Sequence, residues 1–153
     1  MDRDSEKPGA SGLAAPQSPA DWENYYDLRW RVLREPWQQP RGSEKDDRES
    51  ESEHLMIVGA DRQVLAVGRL HLNSPSEAQV RFMAVAPEAR GRGLGGEILR
   101  ELERRARAAG ASSIVLNARE DAQRFYQKHG FVVTGPAPTI FSAVKHVRMR
   151  KDL

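Results

Sequence analysis

The 153-residue chain contains no cysteine, which excludes disulfides, thiolate metal sites and a cysteine nucleophile at one stroke. Long apolar runs are missing as well. No stretch approaches the roughly 20 residues that cross a bilayer, and Met1 to Lys7 lack the apolar core of a signal peptide. These absences set the expectation of a soluble, cytoplasmic protein that uses no membrane. Neither charge sign prevails: 24 Lys and Arg against 22 Asp and Glu leave a net charge of +2, too little to mark a nucleic-acid binder. What is present fits one globular domain, with 39% hydrophobic and 30% charged residues.

Order along the chain follows from its patterning. Met1 to Gln17 is rich in Pro, Gly, Ala and Ser without apolar period, so residues 1–17 are expected to be a disordered tail and 18–153 the domain. Ser18-Pro19 reads as a cap and first position of a helix through Leu33. Arg34 to Glu53, with Pro36, Pro40, Gly42 and a dense charge run, is expected to be a loop or broken helix, solvated, with Trp37 as its anchor. Strands are expected over His54–Ala60, Val64–Leu72 and Ala78–Val85, joined by short turns into an antiparallel meander. An amphipathic helix from Leu94, closed by Gly110, leads to a buried strand at Ser113–Asn117, giving a right-handed parallel crossover. A helix over Glu120–His129, a strand at Phe131–Thr134, a loop at Gly135–Pro138 and a last strand around Lys145–Met149 complete an α/β chain with a mixed sheet.

The chemically informative stretch lies between the third strand and the second helix. Gly91, Gly93, Gly95 and Gly96 fall within six positions, flanked by Arg90 and Arg92. Glycine permits φ > 0 and close backbone approach, and the turn opens into a helix whose first N–H groups and dipole favour an anion. A diphosphate site is the reading. Gly91-x-Gly93-x-x-Gly96 also satisfies the dinucleotide fingerprint taken literally, but Pro87 to Arg90 separate it from the strand and no acid follows about twenty residues on. A P-loop is excluded, because no Gly-Lys-Ser/Thr is present.

Arg90-x-x-Gly93-x-Gly95, after a strand ending Met83-Ala84-Val85-Ala86-Pro87, resembles the acyl-CoA signature of the GNAT superfamily of N-acetyltransferases. Ala122 to Phe131, with Phe125-Tyr126 inside it, resembles that family's second motif. Leu28 to Arg34, Gly68-Arg69-Leu70-His71, Leu116-Asn117-Ala118-Arg119 and His146 to Met149 are similar to the ElaA branch and to the acetyltransferase-like half of YiiD-type proteins. The resemblance implies the GNAT fold and acetyl-CoA as acyl donor, with no metal. It implies pantetheine pairing at Met83, Ala84 and Val85, and pyrophosphate contacts from Arg90, Gly91, Arg92, Gly93, Leu94, Gly95 and Gly96, with Asn117 also on the donor. A wedge between this strand and Ile114–Leu116 is implied for the thioester.

Tyr126 stands at the family's general acid. With ordinary pKa values of about 10 for tyrosine and about 8.5 for a thiol, full proton transfer to the leaving thiolate is uphill by roughly 2 kcal/mol. Tyr126 is therefore expected mainly to hydrogen-bond the developing charge. Gln79 occupies the place of a catalytic glutamate in some members and cannot serve as a base. His71 is the substitute, ahead of Glu77 and His146. Arg119 is placed to meet an acidic group on donor or acceptor, or else is a surface residue. The expected reaction is transfer of acetyl to an acceptor, an amine of unknown identity. Other acyl-thioester chemistry, such as malonyl decarboxylation, and a non-catalytic acyl-CoA module are the alternatives.

Overall fold

A computed structural model of the chain describes residues 12–153. The elements are β1 (Leu13–Ala14), α1 (Pro19–Leu33), β2 (Glu53–Val58), β3 (Val64–Ser74), β4 (Glu77–Val85), α2 (Leu94–Ala108), β5 (Ser113–Arg119), α3 (Gln123–Lys128), β6 (Val132–Ile140) and β7 (Val144–Asp152). The strands form one seven-stranded sheet in the order β1-β2-β3-β4-β5-β7-β6. Within it β4 and β5 are the parallel pair, which realises the expected meander followed by a crossover. Of the tail expected over residues 1–17, residues 1–11 lie outside the described region. Leu13 and Ala14 pair antiparallel with Ile57 and Met56 as β1.

Two compact units share the chain. The first comprises the described residues up to Arg69 together with Phe82–Leu102, and the second Leu70–Arg81 with Glu103–Leu153. In the first, α1 begins with a capping box: Asp21 N donates to Ser18 Oγ at 3.0 Å, and Ser18 N donates to Asp21 Oδ2 at 3.3 Å. Its inner face carries Tyr25 and Leu28 into a core with Met56, Val64, Val67, Ala84, Ala86 and Ala89. The β2–β3 turn has Asp61 and Arg62 both left-handed, at φ 57° and 61°, as a two-residue hairpin of this twist requires. Gly68 lies inside β3 because helix α2 comes down upon it. A Cβ there would stand 2.5 Å from Ile98 Cγ2 and 2.8 Å from Met83 Sδ.

In the second unit, parallel pairing joins Glu77, Ala78 and Gln79 to Ser113, Ile114 and Val115, and β5 is paired along its whole length with β7. The helix α2 ends as expected at Gly110, left-handed at φ 93°, where Ala111 N closes on Ala106 O at 3.0 Å. The stretch Gly135–Pro138 is not a loop. It belongs to β6, with irregular register between Val133 and Gly135 and between Ala137 and Ile140. Two prolines are tolerated there because β6 is the edge strand, where missing N–H donors cost no ladder bond.

Candidate functional site

The glycine turn expected to hold a diphosphate falls wholly within the first unit. Pro87–Ala89 forms one turn of 3₁₀ helix after β4, and the chain then passes through Gly91 at φ 83° and Gly93 at φ 79° before α2 begins at Leu94. Only these two of the four glycines need left-handed backbone; Gly95 and Gly96 are the first turn of the helix. The first intrahelical bond runs from Glu97 N to Gly93 O at 3.1 Å, so the N–H groups of Leu94, Gly95 and Gly96 precede any acceptor in their own helix. Arg90 and Arg92 are exposed beside them, and Arg92 Nη2 reaches Glu88 O at 3.3 Å. Orphan donors, the positive helix end and two guanidiniums are the groups that favour an anion. Met83 and Val85 are half-buried on the strand that leads into it, with Ala84 turned to the core.

His71, Gln79, Glu77, Asn117, Tyr126, Arg119 and His146 belong to the second unit. His71 is buried, and its Nε2–H donates to Asn73 Oδ1 at 3.0 Å. In the neutral ring that arrangement puts the lone pair on Nδ1. Asn73 Nδ2 in turn donates to Glu77 Oε2 at 2.9 Å and to Gln79 Oε1 at 3.0 Å. Two candidates for the base, His71 and Glu77, are thus linked with Gln79 through one asparagine that the sequence pattern does not single out. Tyr126 is buried against Phe125 and Phe131, with ring centroids 4.9 and 5.9 Å away. Burial pushes its phenol well above the usual tyrosine range, which keeps the hydroxyl a proton donor. Arg119 Nη2 is held by Asp121 Oδ2 at 2.8 Å. His146 lies across from Arg119 in the β5–β7 register and bonds Val144 O through Nδ1 at 3.0 Å. Asn117 is exposed on β5. Among the described residues no group of three or more His, Asp or Glu is placed to hold a metal ion, and no helix is long and apolar enough to cross a membrane.

The charge run expected to be solvated is exposed at Lys45, Asp47, Ser50 and Glu51, while others of its residues are tied into the first unit. Arg29 and Arg69, each fully buried, meet its carboxylates: Arg29 Nη1 to Glu49 Oε2 at 2.9 Å, and Arg69 Nη1 to Asp46 Oδ1 at 2.6 Å and to Glu49 Oε2 at 2.8 Å. Arg29 Nη1 also bonds the carbonyl of Glu44, itself buried. Buried guanidiniums need opposite charge, and the loop supplies it. Trp30 pins the start of the same loop, its Nε1 donating to Gln39 O at 3.0 Å with Arg41 stacked 4.0 Å above the ring. Trp37, the expected anchor, is half-buried.

A relay continues inward from Arg29. Its Nη2 donates to Tyr25 Oη at 2.9 Å, and the Tyr25 hydroxyl donates to His54 Nδ1 at 2.8 Å. His54 Nε2–H donates to Glu49 O at 2.8 Å. Burial pushes Tyr25 up to about 12 and His54 below its ordinary value, so both are neutral at pH 7. The signal for this network was in the sequence. Arg69 interrupts an otherwise apolar strand, and Arg29 sits one turn after Tyr25 on the apolar face of α1.

Comparison with known proteins agrees with the geometry. The profile of the Acetyltransferase (GNAT) family matches residues 22–131. YjcF of Bacillus subtilis (strain 168), named as an uncharacterized N-acetyltransferase, is 34% identical over 113 residues, 74% of this chain and 79% of that protein. The crystal structure of Escherichia coli ElaA superposes with a TM-score of 0.73 at 17% identity, covering 92% of this chain and 97% of the other. A GNAT acetyltransferase from Elizabethkingia anophelis, solved with acetyl-CoA bound, gives a TM-score of 0.70 at 15% identity, covering 92% and 97%.

Proposed function

Since the chain belongs to the Acetyltransferase (GNAT) family, we propose that it seats acetyl-CoA on the Gly91–Gly96 turn and passes the acetyl group directly to an amine, in the cytoplasm. Acetyl transfer is the family's activity, and this protein is an acyltransferase. The observation that carries the donor assignment is the turn itself. Two left-handed glycines, three helix N–H groups without an intrahelical acceptor and two exposed arginines occur together at one turn, a set of donors suited to an anion.

Diphosphate is held at the N–H groups of Gly93 to Gly96 and by Arg90. Pantetheine pairs with the backbone of Met83–Val85. The acceptor amine, unprotonated, attacks the thioester carbonyl carbon; the C–N bond forms, the tetrahedral intermediate collapses, and the C–S bond breaks with the electron pair leaving on sulfur. His71 takes the proton the amine loses, at the Nδ1 that its bond to Asn73 leaves as the basic nitrogen. Tyr126 donates a hydrogen bond to the departing sulfur. Because burial raises its pKa further above that of a thiol, stabilising the thiolate is its main contribution rather than complete proton transfer. Gln79, an amide bonded to Asn73, helps orient the base and takes no proton.

Calorimetric titration with acetyl-CoA tests the seat. The wild-type protein is expected to bind, and Gly93→Ala to bind about tenfold more weakly, since an alanine at φ 79° costs of the order of 1–2 kcal/mol. Undiminished binding by Gly93→Ala together with Arg90→Ala places the diphosphate elsewhere.

A further inference from the structure

Phe82 is a phenylalanine inside a strand at φ 58°. Left-handed backbone is strained for a bulky residue and persists only where surroundings over-determine it. Such a residue in a strand is the mark of a bulge, which bends the strand and re-aims the residues beyond it. The next residue is Met83, the first of those assigned above to the donor.

The surroundings of Phe82 are three guanidiniums. Arg29 Cζ lies 4.2 Å from the ring centroid, Arg69 Cζ 4.9 Å and Arg34 Cζ 5.6 Å. Two of the three are fully buried, and neither is free to turn. Arg69 grips Asp46 with both Nη atoms, at 2.6 and 3.0 Å, while Glu49 receives Arg29, Arg69 and the Tyr26 hydroxyl together. Two buried positive charges are thereby matched by two carboxylates. Cation–π contact strengthens when the cation is desolvated, and here it opposes the backbone strain. An ion network serving stability alone had no need to converge on the one strained residue of β4.

We propose that Arg29 and Arg69, charge-balanced by Asp46 and Glu49, are positioning residues for acyl transfer. They clamp the Phe82 ring, hold the left-handed backbone there, and so fix the direction in which Met83–Val85 presents its amides to the pantetheine arm. The proposal rests on the acyl-CoA reading above. It also accounts for the Arg34–Ser52 segment, whose carboxylates complete a clamp acting on β4.

The test compares wild type with Phe82→Leu, which removes the ring and no charge, and with Arg69→Lys, which keeps the charge and loses the fork. Three measurements are made at a temperature where each variant is folded: affinity for acetyl-CoA, affinity for 3′-phospho-ADP as the nucleotide half alone, and amide exchange at Met83–Val85 without ligand. Both variants are expected to bind acetyl-CoA about tenfold more weakly, to hold 3′-phospho-ADP as wild type does, and to exchange faster at Met83–Val85. Equal weakening for both ligands, or unchanged exchange at Met83–Val85, overturns the clamp. Wild-type protein that ignores acetyl-CoA overturns the donor reading instead, and the exchange data still judge the clamp. If Arg69→Lys does not fold, Phe82→Leu decides.

Discussion

Tyr126 and His54 are two buried side chains whose proton states burial sets in opposite senses. For Tyr126 the phenol is raised, so it remains a donor across the working pH range. Tyr126→Phe is expected to lower kcat by about 10²-fold while acetyl-CoA affinity stays within about twofold of wild type by titration. A loss carried by KM instead would make Tyr126 a packing residue. For His54 desolvation holds the folded pKa below the ordinary value, whereas the unfolded chain titrates near 6.5. Between those values the unfolded state binds the extra proton. The stabilisation from neutral His54 is therefore fully present above about pH 6.5 and is lost as pH falls through the folded pKa. Urea unfolding should show stability dropping from pH 7.5 to 5.5, with a shallower drop in His54→Gln, whose amide can still link Tyr25 to the Glu49 carbonyl.

Whole elements were legible where a local rule governs them. Capping at Ser18, the hairpin turn at Asp61-Arg62 and the glycine close at Gly110 each depend on a few neighbouring residues, and each stands where the sequence places it. The course of the glycine turn into α2 was legible for the same reason, since its residues are consecutive in the chain. Arg34 to Glu53 is irregular and mostly exposed or half-buried as expected, but the pairing of Asp46 and Glu49 with Arg29 and Arg69 was not legible, because each lies at least 20 residues from its partner and no periodicity reports such pairing. The β6 prolines were misread because edge position is a property of strand order, which β7 decides by inserting beside β5. Gly68 is a packing demand of the same non-local kind. Gly68→Ala should lose about 1–3 kcal/mol by overpacking against Ile98 and Met83, read as a melting temperature lower by about 2–4 °C for each kcal/mol.

At the scale of the whole molecule, the first unit holds the glycine turn and the buried arginines around Phe82, and the second a tyrosine that stays protonated and a histidine bonded to Asn73 through Nε2. Family membership makes acetyl transfer the activity. The most direct test is the release of free thiol from acetyl-CoA by the purified protein across a panel of amines, with the acylated product identified by mass. The account predicts that thiol release depends on the amine and that one acetylated amine forms for each thiol. Amine-independent thiol release, carbon dioxide from malonyl-CoA in its place, or tight acetyl-CoA binding without turnover of any amine would contradict it.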